Sequence, residues 1–199
     1  MKHEDREGRP GRLIVLSGPS GSGKSTLVKR LLRRPGLRIQ VSISATTRPP
    51  RADEVDGRDY FFMTKESFEA IRDQLLESAE VHGHLYGTPS GPVRDALARG
   101  ICVLLVIDVQ GGMQIRDRVP DALLVFLDVP DLGVLEQRLR SRGTDDEMTI
   151  QRRLENARHE LEMKSYYDFV VINDDLDRAA DELAAFLEKN HCGVAVDHD

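Results

Sequence analysis

The sequence has few cysteines, no long apolar run and no excess of positive charge. Only Cys102 and Cys192 occur among its 199 residues, which excludes a disulfide framework and a thiolate metal site and favours a reducing cytoplasm. The apolar stretch at 13–16 is too short for a signal peptide, and no run reaches the about 18 residues of a membrane span. The net charge of −6 argues against a nucleic-acid or membrane-surface binder.

What is present indicates one folded unit. A chain of 199 residues, 40% hydrophobic and 31% charged, can bury one core but is too short for two large domains. Apolar runs at 13–16, 101–107, 122–127 and 169–172, with a half-alternating segment at 38–44, are typical of strands buried on both faces of a parallel sheet. Helical spacings lie between them, most clearly at 150–161 and 176–187. This alternation predicts a doubly wound α/β fold.

Two segments interrupt the alternation. Residues 45–92 contain an irregular loop, a short FFM run, a helix predicted from Phe68, Ile71 and Leu75, and the turn-rich HGHLYGTPSGP. We interpret 45–92 as a small lobe inserted into a core domain of residues 12–44 and 93–189. The second interruption, at 141–146, lies in a segment of about 139–153. We expect the charged ends, 1–11 and 190–199, to be mobile tails.

A phosphate-binding motif follows the first predicted strand. GPSGSGKST matches G-x-x-x-x-G-K-[ST] and lies between a buried strand and a helical segment, as a P-loop requires. Its glycines let backbone N–H groups surround an anion; the lysine would bridge the β- and γ-phosphates, and the serine hydroxyl would bind Mg²⁺. The motif therefore predicts a P-loop NTPase-type sheet that binds ATP with Mg²⁺. The residues predicted to bind ATP here are Gly18, Pro19, Ser20, Gly21, Ser22, Gly23, Lys24, Ser25 and Thr26, with Ser25 also as the metal ligand.

An arginine-rich loop at 46–60 is harder to interpret alone. TTRPPRADEVDGRDY contains three arginines, four acids and two prolines. Proline restricts the backbone on either side of it, so Arg48 and Arg51 can be held at modest entropic cost, and Tyr60 could add a phenolic hydrogen bond. Such a set suits a phosphate monoester. Taken alone, the loop is better explained as a solvated turn with exchangeable surface ion pairs.

The loop and its neighbours resemble the guanylate kinase family. That family's signature has Thr-Thr-Arg, two residues, a basic residue, then an acid, a glycine and Tyr-x-Phe. The resemblance extends over about 12–188, through LESAEVHGHLYGT, IDVQG, LRSRGTDDE, RRL and VINDDLD. The matching signature residues are Thr46, Thr47, Arg48, Arg51, Glu54, Gly57, Tyr60 and Phe62.

The resemblance implies the acceptor site. In similar proteins two arginines and two tyrosines hold the GMP phosphate, and a glutamate with hydroxyl groups reads the base. A carboxylate can accept from guanine N1–H and the 2-amino group together, whereas adenine offers neither donor there. The acceptor residues implied in this sequence are Ser44, Arg48, Arg51, Tyr60, Glu77, Tyr86, Gly87, Thr88 and Asp108.

The resemblance also implies how the donor is held. The segment at 139–153 becomes a lid that closes over ATP, with Arg138, Arg142 and Arg153 near the triphosphate and Asn173 near adenine. Lys24, Arg48, Arg51, Arg142 and Arg153 are then the catalytic residues, because they neutralise charge on the transferred phosphoryl group. The implied reaction is ATP + GMP to ADP + GDP, with dGMP also accepted, as part of purine nucleotide metabolism.

Two positions depart from the family pattern. The family usually has Asp-Ile-Asp at the end of the central strand, whereas this chain has Val106-Ile107-Asp108. Asp108 alone is left to contact the Mg²⁺ hydration shell, Lys24 or GMP. The family also often has two tyrosines before the glycine, where this chain has Leu85 and Tyr86.

Two other functions fit parts of the pattern. A kinase of the same structural group could phosphorylate a sugar phosphate such as ribose 1,5-bisphosphate, although such an acceptor needs no guanine reader. A guanylate-kinase-like domain could instead bind peptides without catalysis, although an intact P-loop argues against this. The favoured hypothesis is a cytoplasmic enzyme, a monomer or homo-oligomer, whose partners are ATP and GMP rather than nucleic acid or membrane.

Overall fold

The computed structural model describes residues 10–81, 83–141 and 146–192. Along these ranges the chain alternates between strands and helices. The strands are β1 (Leu13–Ser17), β2 (Ile39–Val41), β3 (Ala45–Thr46), β4 (Phe61–Phe62), β5 (Leu75–Val81), β6 (His84–Pro89), β7 (Cys102–Val106), β8 (Leu123–Asp128) and β9 (Phe169–Ile172). The α-helices are α1 (Lys24–Leu31), α2 (Lys65–Ala70), α3 (Ser90–Ala98), α4 (Val109–Arg118), α5 (Leu132–Ser141), α6 (Glu147–Glu162) and α7 (Leu176–Lys189).

The larger sheet has five parallel strands in the order β2-β7-β1-β8-β9. All five apolar segments of the sequence supply its strands. β1 lies in the middle, and each of its five residues is buried. Successive side chains of a strand point to opposite faces, so Ile14 and Leu16 pack towards α1 and α7, while Leu13 and Val15 pack towards α3 and α4. Because helices cover both faces, the predicted α/β fold with a parallel sheet is confirmed.

The smaller sheet lies in the segment interpreted as an inserted lobe. Its strands run in the order β4-β3-β6-β5, with antiparallel pairs between β3 and β6 and between β6 and β5. Ala45, Phe68 and Leu75 form its buried core. The division of the chain into a core domain and a GMP-binding lobe stays a prediction.

Two local predictions in this segment are wrong. The helix predicted from Phe68, Ile71 and Leu75 ends at Ala70, and Leu75 begins β5. The turn-rich HGHLYGTPSGP also contains a strand, because β6 pairs with a neighbour on each side. A side chain at Gly87 would lie 2.6 Å from Leu75 Cδ1 and 2.9 Å from the Glu77 carbonyl oxygen. Glycine therefore permits close packing here rather than a turn.

The helices around the second interruption are joined by ion pairs. Arg140 on α5 contacts Glu136 on the same helix and Glu147 on α6. α6 begins with Asp146 as its N-cap, which accepts from the Thr149 N–H at 2.8 Å. The predicted lid at 139–153 lies partly outside the described residues, which omit 142–145.

The chain ends differ from the expected tails where they are described. Gly11 N–H donates to the Leu97 carbonyl at 2.7 Å, and Arg38 N–H donates to the Cys192 carbonyl at 3.3 Å. Cys192 is buried, and its thiol hydrogen-bonds with Cys102, so the two cysteines of the chain meet in the core. The rest of both predicted tails lies outside the described residues. Within the described ranges, no helix combines the length and apolarity that crossing a membrane requires.

Candidate active site

The P-loop connects β1 to α1 through a tight backbone curve. Gly18 has a φ of 149°, and a side chain there would lie 2.3 Å from the Leu127 carbonyl oxygen. Gly23 has a φ of 98°, and a side chain there would lie 2.4 Å from Asn173 Nδ2. Only glycine fits such positions. Gly23 is the N-cap of α1 and offers no side-chain cap, so the first N–H groups of the helix remain available to an anion.

Two distant side chains hold the outer part of this loop. Arg138 donates to the Ser22 carbonyl at 3.1 Å, and Asn173 donates to the same oxygen at 2.7 Å. Arg138 also donates to the Asn173 carbonyl at 2.9 Å. Both residues were predicted to contact ATP. In this structure they contact the P-loop backbone and do not line the cavity that joins the P-loop to the smaller sheet.

The P-loop lysine points back into its own loop. Lys24 Nζ donates to the Gly18 carbonyl and, at 3.2 Å, to the Pro19 carbonyl. Ser25 and Thr26 follow in the first turn of α1 and are exposed. Pro19 and Ser22 are buried, whereas Ser20 is half-buried and reaches the cavity.

One cavity of about 640 Å³ joins the P-loop to the smaller sheet. Gly18, Ser20 and Lys24 line one side of it. Val106, the last residue of β7, and Asp108, two residues beyond it, also line the cavity, and α6 contributes Arg153 and Glu160. From the smaller sheet and its loops, the cavity is lined by Ser44, Arg51, Tyr60, Glu77, Glu80, Val81 and Tyr86. Residues predicted for the donor and residues predicted for the acceptor thus meet at a single cavity.

The arginine loop is ordered by its own contacts. Arg48 donates to Tyr86 Oη at 3.2 Å, to the Pro49 carbonyl at 2.7 Å and to Glu54 Oε1 at 2.9 Å. Its guanidinium also lies 5.5 Å from the centre of the Tyr60 ring. Arg48 contacts the cavity-lining Tyr60 and Tyr86 but does not itself line the cavity, whereas the Arg51 side chain is 65% exposed and lines it. The loop is therefore not a freely solvated turn.

A buried carboxylate lies beyond the arginine loop. Glu77 on β5 is 2% exposed, and Thr88 donates to its Oε1 at 2.7 Å. Since a hydroxyl has one proton, Thr88 can then only accept from Ser44, 3.4 Å away. Burial raises the pKa of Glu77 to about 7, and the nearby Asp108 adds to the increase. Thr88 and Gly87 lie behind Glu77 rather than on the cavity wall.

Asp108 occupies the N-cap of α4 at the edge of the central sheet. Its Oδ1 accepts from the Gly111 N–H at 2.9 Å. Burial raises its pKa, while the Gly111 N–H and the positive charge of Lys24 act in the opposite direction. Within the part of the chain that is described, no group of three or more His, Cys, Asp or Glu side chains could hold a metal ion.

Glu160 was not predicted from the sequence. This residue of α6 lines the cavity, and its carboxylate accepts from the Ser20 backbone N–H. Burial raises its pKa to about 7, against the attraction of Lys24. Its place in the helical pattern at 150–161 gave no signal, because helix periodicity identifies the buried face but not the partner of a polar side chain. Arg142, predicted as catalytic, lies outside the described residues.

Comparisons with known proteins agree on one family. A family model described as guanylate kinase matches residues 10–190. Guanylate kinases of Streptococcus thermophilus (strain CNRZ 1066) and Streptococcus agalactiae serotype III (strain NEM316) are 45% and 46% identical over 186 residues. Each alignment covers 92% of this chain and 89% of the relative. The crystal structure of guanylate kinase from Anaplasma phagocytophilum superposes with a TM-score of 0.77 at 30% identity, covering 92% of this chain and 87% of that one.

Proposed function

Because this chain belongs to the guanylate kinase family, which transfers a phosphoryl group from ATP to GMP, we propose how its residues divide that reaction. The observation that carries the assignment is the shared cavity. Lys24 lines it on the P-loop side, and Arg51, Tyr60, Glu77 and Tyr86 line it on the opposite side. A phosphate donor and a purine acceptor bound there would meet within one space.

The P-loop side takes the triphosphate of ATP. The uncapped N-terminus of α1 offers N–H groups and a partial positive charge to the phosphates. Lys24 exchanges its contacts with the Gly18 and Pro19 carbonyls for phosphate oxygens. Arg138 and Asn173 support this side by fixing the Ser22 carbonyl, and adenine lies near them. The lid at 139–153 closes over the bound ATP.

The residues near the P-loop fit a magnesium ion. Ser25 offers an exposed hydroxyl in the first turn of α1, and oxygen ligands are what Mg²⁺ prefers. Few protein ligands are needed, because Mg²⁺ bound to ATP keeps several waters. When bound, the ion would neutralise charge on the phosphate oxygens. Asp108, which lines the same cavity, would bind waters of the ion or contact GMP.

The opposite side holds GMP by its phosphate and its base. Arg48, Arg51, Tyr60 and Tyr86 form the phosphate clamp, in which guanidinium groups make strong charge-assisted hydrogen bonds. Glu77, supported by Thr88 and Ser44, accepts from guanine N1–H and the 2-amino group. These contacts involve phosphate and base, so dGMP is also an acceptor.

Catalysis consists of aligning two polyanions and neutralising the transferred charge. A GMP phosphate oxygen attacks the γ-phosphorus as the bond to the β–γ bridging oxygen breaks. The attacking GMP oxygen is already anionic near neutral pH, so no protein base is required. Lys24, Arg48, Arg51 and Arg153 surround the reacting groups, and Arg142 belongs to the same set.

The main test is a comparison of acceptors. ADP release is measured with GMP, dGMP, AMP, UMP and ribose 1,5-bisphosphate. We expect GMP to have the highest kcat/KM, exceeding that for AMP by about 100-fold or more, because AMP leaves Glu77 without its donors. A preference for AMP, UMP or ribose 1,5-bisphosphate over GMP, or a preference for GMP over these three acceptors below tenfold, would contradict the assignment of Glu77.

Gly111→Ala tests the guanine-binding site by displacing the Glu77 carboxylate without replacing it. A side chain at Gly111 would lie 2.5 Å from Glu77 Oε2, so the carboxylate must move. We expect the KM for GMP to rise by about tenfold or more while the KM for ATP stays unchanged, since hydrogen bonds weaken steeply when misaligned. Gly91→Ala on α3, where a new side chain meets nothing within 4 Å, is the control. Equal GMP kinetics in the two variants would count against the base site.

The relatives reported above are all named guanylate kinase and give no support to a sugar-phosphate kinase or a non-catalytic binding module. We further propose that the enzyme works in the cytoplasm as a monomer or homo-oligomer, without nucleic acid or membrane. Cys102 and Cys192 are free thiols that form no disulfide, which suits a reducing compartment.

A further inference from the structure

The four acids of the arginine loop differ in their surroundings. Asp53, Asp56 and Asp59 are exposed. Asp59 accepts from the Val55 N–H and Asp56 from the Phe62 N–H of β4, and the Asp53 side chain makes no hydrogen bond or ion pair with another described residue. Glu54 is only 13% exposed. It is also the acid that contacts both arginines of the phosphate clamp.

Glu54 contacts the clamp with both carboxylate oxygens. Oε1 accepts from Arg48 Nη2 at 2.9 Å, and Oε2 accepts from the Arg51 backbone N–H at 2.8 Å. The Arg51 guanidinium is farther away, with Nη1 at 3.9 Å. Burial alone would raise the pKa of Glu54, but the bonds from Arg48 and Arg51 outweigh it and hold the pKa below its usual value. The carboxylate is therefore charged near neutral pH.

These contacts orient Arg48 without using all of its donors. A guanidinium has five N–H groups, and described partners take three of them: Tyr86, the Pro49 carbonyl and Glu54. Nη1 and Nη2 each keep one N–H for a ligand. Tyr60 and Phe62 also flank the guanidinium, at 5.5 Å and 5.8 Å from its central carbon. A phosphate can bind this group without displacing Glu54.

We propose that Glu54 is a positioning residue for the acceptor phosphate: it fixes the Arg48 guanidinium and the Arg51 backbone in a receptive orientation and leaves the Arg51 guanidinium exposed to the ligand. Glu54 also offsets the repulsion between the two arginines before GMP arrives. This inference rests on the proposed phosphate clamp.

Glu54→Gln tests the proposal, with Asp53→Asn as the matched loss of one negative charge. Glutamine keeps the size of the side chain but cannot accept from Arg48 and Arg51 with both of its terminal atoms. We expect the KM for GMP to rise about tenfold, because ordering a long side chain on binding costs affinity. The kcat and the KM for ATP should stay within about threefold, and Asp53→Asn should resemble the unaltered protein.

Guanosine separates positioning from a general structural role. It carries the base but no phosphate, so its inhibition constant should be unchanged by Glu54→Gln. Weakening of guanosine and GMP alike would overturn the proposal in favour of a structural role. A lower KM for GMP would also overturn it, because Glu54 would then compete with the phosphate for Arg48.

A double-mutant cycle with Arg48→Met separates the inference from the clamp itself. Arg48→Met should raise the KM for GMP about 100-fold or more. Because Glu54 acts partly through Arg48, the loss in the double variant should be smaller than the product of the two single losses, whereas independent roles would multiply. A normal KM in Arg48→Met would contradict the clamp. A large effect of Arg48→Met beside a normal Glu54→Gln, or multiplied losses in the double variant, would contradict only the role of Glu54.

Discussion

Glu77→Gln is expected to lower kcat/KM for GMP by about 100-fold or more and to stabilise the ligand-free protein at pH 8. The kinetic loss arises because glutamine can accept one guanine donor but presents its own N–H₂ group to the other. The KM for ATP should stay unchanged, since Glu77 lies on the side of the cavity opposite the P-loop. Steady-state kinetics with each substrate varied in turn measure both effects.

The stability gain follows from the pKa of Glu77. Burial raises this pKa from 4.5 to about 7, so the folded protein holds a proton that the unfolded chain releases between these values. The contribution is fully favourable below pH 4.5 and is lost as the pH rises through 7. Ionisation of this buried group then costs on the order of 3 kcal/mol. Glutamine does not ionise, so the difference in unfolding free energy between variant and parent should grow from pH 5 to pH 8.

Urea unfolding at these two pH values, with Asp73→Asn as an exposed acidic control, checks the stability effect. The same titration should weaken GMP binding by about tenfold from pH 8 to pH 6, because only the ionised carboxylate is competent. That pH dependence should be smaller in Glu77→Gln, where only the GMP phosphate titrates. A stability difference that is independent of pH would show that the Glu77 carboxylate is not desolvated.

Lys24→Ala is expected to reduce kcat by about 1,000-fold or more, because it removes a positive charge from the transferring phosphoryl group. The dissociation constant of GMP, which binds on the clamp side of the cavity, should change little. Lys29→Ala, which removes an exposed lysine of the same helix, is the control. Lys24 also contacts the Gly18 and Pro19 carbonyls, so its removal could destabilise the fold. Thermal unfolding of the variant distinguishes that effect from the loss of the charge. Retention of more than a tenth of kcat in a folded variant would remove Lys24 from the catalytic set.

The central sheet could be predicted because its signal is local. Strands such as β7 and β8 are buried on both faces, and a run of apolar residues records that burial directly. The strand β6 could not be predicted, since Gly83, Gly87 and Pro89 resemble a turn in isolation. Pairing with β3 and β5 overrides that preference.

Some residues of the candidate site could likewise be predicted from the sequence, and others could not. The P-loop and the arginine loop are contiguous motifs, so Lys24, Arg51 and Tyr60 could be placed beside a ligand from sequence. The resemblance identified Glu54 as the signature acid, but its contacts with Arg48 and Arg51 could not be predicted, because they depend on which side chain the fold buries. Glu160 and the contact of Arg138 with the P-loop depend on partners far away in sequence.

The anchoring of Ser22 bears on when the enzyme matures during its synthesis. The P-loop is translated early, but the side chains that fix its carbonyl, Arg138 and Asn173, are 116 and 151 residues further on. Contacts of such separation form late, because the intervening chain must be ordered first. A nascent chain released before β9 would therefore carry the entire nucleotide-binding motif and still bind ATP poorly. The P-loop is therefore expected to become competent only after the segment that carries Asn173 has been made.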